Sequence, residues 1–443
     1  MEFPVAGLPR IMPRPPSPAK PASRRQSHSE RLLAAIPPMR RDDTAARMSG
    51  TYRITGISDV VGAPVPTSRF SRQIIDPHQA FFGGRSVLDV PDLRREFVPP
   101  IGPSVTEPGL AERWQGYDAQ YRNEARLSRF WVVELEQATV FPPFGIVAVG
   151  DRIVRDTVRN PKMLKSVFPE GQEERFWAAM GSSTTPVEGG AVPPAYRVPG
   201  RSFLLGYGLA DNYFNWTLRY ASRVAQYQAM PDVVQLAVPM PRRSYVPQTL
   251  EFLGVPQHEV IHIEAPMIFD RLVLVSPMAF GRYEISPQIA DTLRGHPRVQ
   301  ELWRRPKRRI YVPRRNVRMR RVVNEAAVEE ALGQLGFEVF DNAEHSVREQ
   351  IRAFRDAAMV VSPHGAGLSN IAYCDAGTPV VELVPEGYDQ GVTSYRSLAD
   401  LFGLPYAQLF AREAKPDRKG NRCNSDIEVD VGELVRTIGA IAA

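Results

Sequence analysis

The sequence predicts an α/β protein whose C-terminal half is a parallel sheet wound on both faces, and three observations carry that reading. From Arg309 onward, short apolar runs ("RIYVP", "FEVFD", "AMVVSP", "PVVELVP") read as strands and alternate with stretches that repeat apolar residues at helical spacing. The links between them are short. At 443 residues the chain is too long for one ordinary core, so two domains plus tails are expected.

Each element has a local reason. Asn324 is placed to cap a helix whose Val328, Leu332 and Leu335 share a face, with Gly336 as its stop. Ser346 to Glu349 has capping-box spacing and opens a second helix with Val347, Ile351 and Phe354 on one stripe. "HGAGLSNIAYC" reads as a turn into a helix. Upstream, "FWVVELEQATVFPPFGIVAVGDRIVRDT" gives several short strands, "VVQLAVP" and "RLVLVSP" buried strands, and "SYVPQTLEFLG" a short helix between them. The expected division is a Pro- and Arg-rich disordered tail over 1–50, an acceptor-side domain with a β-rich lead-in over 51–295, and a nucleotide-binding domain over 296–443.

Composition bounds the function. With 43% hydrophobic and 23% charged residues the chain is globular, although 41 prolines is high. Two cysteines, Cys374 and Cys423, exclude a disulfide framework and a four-cysteine zinc site. No run of about 18 apolar residues occurs, and prolines break the N-terminus where a signal peptide needs an apolar core, so a cytoplasmic protein is expected. The formal charge of +6 is concentrated at the N-terminus, where residues 1–50 hold nine Lys or Arg against four Asp or Glu. Such a tail could touch an acidic membrane surface, peripheral at the inner membrane, or another protein.

In open parallel sheets ligands bind beyond the carboxyl ends of the strands. "VVSPHGAGLSN", Val360–Asn370, leaves a strand at such an end, and its glycines would let backbone N–H groups approach a diphosphate. His364 could donate to a phosphate oxygen. Spacing alone leaves a plain strand-to-helix turn equally open, because HGAG is not the dinucleotide fingerprint. Arg304–Arg321 holds ten Lys or Arg within eighteen residues. It reads as a solvated face, a nucleic-acid patch, or an anion site on the edge that carries His364, and the last is favoured because "IYVP" puts it at a strand end. Glu382, inside "VVELV", either emerges at the strand end or accepts from a ligand hydroxyl. The aromatic-rich "DNYFNWTLRY" is either core or an acceptor-side wall.

These residues together resemble glycosyltransferase family 61, also called the DUF563 group, which includes capsular polysaccharide biosynthesis proteins. "YVPRR", "RRVVNE", "GFEVF", "EQIRAFRDAAMVVSPHGAGLSN" and "VVEL" follow in that family's order, with a fainter likeness through "NYFNWTLRYASRV" and "FDRLVLVSP". The resemblance implies a GT-B architecture, two Rossmann-like domains facing across a cleft, with a nucleotide-sugar donor in the C-terminal one. It implies an inverting hexosyl- or pentosyltransferase in polysaccharide biosynthesis, a glycan acceptor, no cofactor, no obligatory metal and no nucleic acid. By position, the donor diphosphate would meet Arg314, Arg320 or Arg321, Asn324, Glu325, His364, Gly365, Ala366, Gly367, Asn370 and Glu382. The N-terminal motif departs from the family, with Asn215 in place of a histidine and Arg219 in place of an acid. The catalytic candidates are therefore Asn215 and Asp211, the nearest carboxylate that could take the acceptor's proton. A non-catalytic nucleotide-sugar- or glycan-binding relative is the alternative.

Overall fold

The computed structural model of the chain describes residues 40–41, 49–55, 109–110, 112–113, 116, 119, 126–127, 132–181, 186–208, 212–230, 232–239, 243–275, 279–280, 284–285, 288–315, 317–388, 394–415 and 420–442. Most of the tail expected over 1–50 lies outside these residues. Within it, however, Arg40–Arg41 (β1) and the start of Ser49–Thr55 (β2) are strands.

Two mixed sheets with helices between and around them build the molecule. The first continues through Val132–Phe141 (β4), Ile146–Val149 (β5), Arg152–Val154 (β6), Pro186–Gly190 (β7), Tyr196–Leu204 (β8), Gln235–Val238 (β9), Val260–His262 (β10) and Met267–Val275 (β11). Its spatial order is β10-β9-β8-β11-β4-β5-β6-β2-β7, with β1 beside β8. The stretch β10-β9-β8-β11 is parallel throughout. Residues Arg126–Leu127 (β3), Ala279–Phe280 (β12) and Glu284–Ile285 (β13) form a small third sheet.

The second large sheet is the one read from the alternation after Arg309. Arg308–Tyr311 (β14), Phe337–Val339 (β15), Ala357–Pro363 (β16), Val380–Pro385 (β17), Tyr406–Lys415 (β18) and Asp426–Glu428 (β19) lie in the order β15-β14-β16-β17-β18-β19. All of these pairings are parallel except β18 with β19. Apolar clusters cover both faces, as the unbroken apolar strands require. Ile351 and Phe354 of the helix Val347–Arg355, with Leu368 and Leu398, fill one. Val328 and Leu332 of the helix Glu325–Gln334, with Leu434 and Ile438, fill the other.

Local chemistry sets the helix boundaries. The Ser346 side chain accepts from the Glu349 N–H and the Glu349 carboxylate accepts from the Ser346 N–H, the reciprocal capping box that the spacing predicts. Beyond it Val347, Ile351 and Phe354 are buried, each contributing about 1.5–3 kcal/mol of apolar transfer. Gly336 takes φ 78°, the left-handed conformation that ends the helix Glu325–Gln334. The predicted cap at its other end is corrected. Asn324 holds the N-cap position without a side-chain cap bond, because its amide is committed to the backbone of Val429, donating to the carbonyl at 2.8 Å and accepting from the N–H at 3.0 Å.

Candidate functional site

The second sheet reverses direction at β14. From β14 the chain winds to one side as β15, then crosses to the other as β16, so the crevice beyond the carboxyl ends of β14 and β16 is the topological switch point. Arg314 leaves the end of β14 and His364 the end of β16. Gly365 sits between them with φ 175°, an extended backbone that any residue adopts. Its requirement is steric: a Cβ there would lie 1.6 Å from Arg314 Nη1. Gly367 is similarly hemmed by Asn342, whose Nδ2 would lie 2.6 Å from an added Cβ. Substituting Gly365→Ala should therefore displace Arg314 and weaken anion binding at the switch point at least tenfold with little loss of fold, measured by calorimetric titration beside a thermal melt.

Among the described residues, Arg314 and Arg320 stand at this crevice without acidic partners. The Nε of each is buried without a hydrogen-bond partner, and among the described residues neither forms an ion pair. Arg314 Nη2 donates to the Met319 carbonyl at 3.3 Å. Burial pushes the Arg314 guanidinium down to about 10, and the like charge of Arg320 pushes the same way. Arg320 also carries φ 58°, unusual for a side chain with a Cβ and a form of strain found where function demands it. Two half-buried like charges held together oppose folding unless something anionic joins them.

His364 is fixed by an acid the sequence read otherwise. Its backbone N–H donates to the Leu383 carbonyl at 2.8 Å. Its ring Nδ1 lies 2.5 Å from Glu382 Oε1. Glu382 is fully buried, and its other oxygen accepts from the Tyr406 hydroxyl and from Gln408 Nε2. Adjacent registers on β16, β17 and β18 bring these groups together, Ser362 facing Glu382 and Glu382 facing Gln408. The carboxylate thus neither emerges at the strand end nor opens toward a ligand; it orients a histidine. Nδ1–H donating to Glu382 leaves Nε2 for a ligand. The rings of Tyr388 and Tyr395 flank the imidazole at 5.0 and 5.4 Å.

Other predicted site residues are bound to protein instead. Arg321 lies in a multidentate pair with Asp426, 2.7 Å at its closest, to which its backbone N–H also donates. Burial works against the Asp426 charge, but the hydrogen bonds and charge of Arg321 outweigh it and hold the carboxyl below the usual range. This contribution is present above the unfolded pKa of about 3.9 and is lost as pH falls through the lower folded value. Asp426→Asn should therefore cost about 1–2 kcal/mol at neutral pH, and the two melting curves should converge in acid. Glu325 accepts from the Tyr311 hydroxyl at 2.6 Å; burial raises its carboxyl and that bond restrains the rise. Asn324 is held by Val429, as described. Asn370 is fully buried, donating to Gln350 and accepting from Tyr213 at 2.9 Å.

Past Gly365 the predicted helix is a 3-10 helix, Ala366–Tyr373, whose Ala366 carbonyl accepts from Ser369. A cavity of about 270 Å³ opens beside Gly367, lined among others by Tyr213, Tyr245, Asn342, His345 and Gln350. The segment read as core or acceptor wall packs as core. Trp216 and Tyr220 pack into the first sheet's core, while Phe214 meets Tyr395 at 5.6 Å. Asn215 is buried on this segment, its N–H donating to Asn212. Asp211 lies outside the described residues. Sequence reasoning missed Tyr395, Tyr406, Gln408 and Asn342. Only for Asn342, the residue after the predicted strand "FEVFD", was there a signal, its place at the edge that carries His364.

Compared with known proteins, residues 213–381 match the family described as Glycosyltransferase 61. None of the curated proteins matches the chain.

Proposed function

We propose, on the premise that the chain belongs through residues 213–381 to the glycosyltransferase 61 family, that it moves a sugar from a nucleotide-sugar donor to a hydroxyl of a glycan acceptor with inversion. The observation that carries this is the pair of half-buried guanidiniums of Arg314 and Arg320 at the switch point, each with a buried, unpartnered Nε and no acidic partner among the described residues, with Gly365 cleared for one of them.

The donor's diphosphate lies between these arginines and His364 Nε2, and the rest of the donor extends into the cavity beside Gly367. An acceptor hydroxyl attacks the anomeric carbon; the new C–O bond forms as the bond to the diphosphate breaks, and the electron pair leaves with phosphate. Fixed guanidinium charge meets the negative charge as it develops, which is worth more in the transition state than in the ground state. This takes the part a divalent cation plays elsewhere, so no obligatory metal enters the reading. Asp211 is the proposed acceptor of the hydroxyl proton. Residues 51–295 serve the acceptor and 296–443 the donor, in a GT-B-like arrangement.

The test is calorimetric titration with a panel of nucleotide sugars. At least one should bind, and Arg320→Met should weaken it by about 10²-fold, since a hydrogen bond to a charged group is worth 1.5–3 kcal/mol. Binding of none would reject the reading. One observation favours a second reading: Asn215 and Arg219 are poor proton acceptors, as a non-catalytic nucleotide-sugar-binding protein would tolerate. Transfer that disappears in Asp211→Asn would eliminate it.

A further inference from the structure

The first sheet has its own switch point. From β8 the chain winds to β9 and β10 on one side, then returns to the other side as β11, so a second switch point lies at the carboxyl ends of β8 and β11. The loop after β8 lies at this point: the Tyr207 hydroxyl donates to the Val275 carbonyl at the end of β11, and the backbone N of Arg159 would lie 3.6 Å from a Cβ on Gly208. The following helical segment turns through one π-helical stretch, Trp216–Tyr220, a form of distortion common at functional sites.

Into this place the sequence puts arginine. Arg219 is only 3% exposed, and its Nε is buried with no hydrogen-bond partner. The Phe214 ring, 5.7 Å from its Cζ, packs against it, and among the described residues no acid pairs with it. Around it stand more cations. Arg223, one turn on and fully buried, lies over the Tyr207 ring at 4.8 Å and donates to the Leu205 carbonyl. The charges of Arg159 and Arg223 both act on Arg219. A buried guanidinium that lacks a counter-ion and has like charges for neighbours is not there for stability. The geometry is that of cations gathered around one unpartnered buried guanidinium, which suits an oxyanion.

We propose that Arg219, with Arg159 and Arg223, forms a second anion site that binds an oxyanion substituent of the acceptor, making this a transferase for acidic saccharides, carboxylated or phosphorylated. The assignment rests on the glycosyltransferase reading for the word acceptor, while the anion site stands on its own geometry. Arg219 touches the acceptor's charge and takes no part in bond making. The Phe214 ring meets both Arg219 and Tyr395, the neighbour of His364.

Thermal melting of the full chain separates this site from the donor site. The probes are glucuronate for a carboxylate, glucose 1-phosphate for a phosphate, neutral glucose as the blank, and UDP, GDP and ADP for the donor site. Wild type and Arg314→Met should both gain melting temperature with one of the acidic sugars and not with glucose. Arg219→Met should melt no lower than wild type without ligand, having shed an unpaired charge, and should lose the acidic-sugar gain while keeping the nucleotide gain. Arg219→Lys retains the cation and should keep part of the gain, which guards against a methionine variant that fails to fold. Which acidic sugar stabilises distinguishes carboxylate from phosphate. An acidic-sugar gain equal in wild type and Arg219→Met, or absent from wild type, overturns the second site. Loss of the nucleotide gain alone would count against the donor reading and leave the second site standing.

Discussion

Arg314→Met should lower kcat/KM by about 10²–10³-fold, the effect of removing one preorganised donor from a developing oxyanion. The magnitude follows from position: the guanidinium is desolvated, it lies against the Gly365 backbone, and its Nε has no other partner to retain. Stability should move the other way. No acid loses a partner when Arg314 goes, and a buried unpaired charge is removed, so the melting temperature should be unchanged or higher. A large fall in kcat/KM together with a large fall in melting temperature would show Arg314 to be structural. Arg314→Lys should recover only part of the rate, because a point charge replaces a planar fork.

Glu382→Gln should be the most costly conservative change in the second sheet. Three donors converge on the carboxylate: His364 Nδ1, the Tyr406 hydroxyl and Gln408 Nε2. A carboxamide offers one oxygen and turns an NH2 toward at least one of these donors, in a place with no solvent to absorb the mismatch. The expected loss is about 1–3 kcal/mol of stability. His364 would also lose the partner that fixes its tautomer, and the transfer rate should fall on the order of 10²-fold. Chemical denaturation and steady-state kinetics on the same preparation check both. If the rate falls no further than in a variant equally destabilised elsewhere in the sheet, the orienting role is wrong.

How far the sequence reached follows from the range of the forces involved. The strands of the second sheet and the capping box at Ser346 were legible because they depend on residues a few places apart. The carriage of His364 by the end of β16 was legible for the same reason, whereas the steric need for Gly365 comes from Arg314, far away in sequence. The partition of the arginines was not. Arg320 and Arg321 are neighbours in sequence, yet the positive φ of Arg320 and the presence of Asp426 105 residues later send them to different fates. Asn324 shows the same limit: it holds the N-cap position, but its side chain makes no cap bond because Val429 takes it. The partnership of His364 with Glu382 depends on parallel register between two strands, which no spacing rule encodes. At Arg219 the substitution was visible, and its burial without an acid was not.

The crevice at the ends of β14 and β16 is expected to hold a nucleoside diphosphate. A crystal structure of the chain soaked with the nucleoside diphosphate of the best-binding donor tests it directly. Phosphate oxygens should lie within about 3 Å of the Arg314 and Arg320 guanidiniums and of His364 Nε2, with the His364–Glu382 contact preserved. A nucleotide bound elsewhere, with both arginines still unliganded, would contradict it.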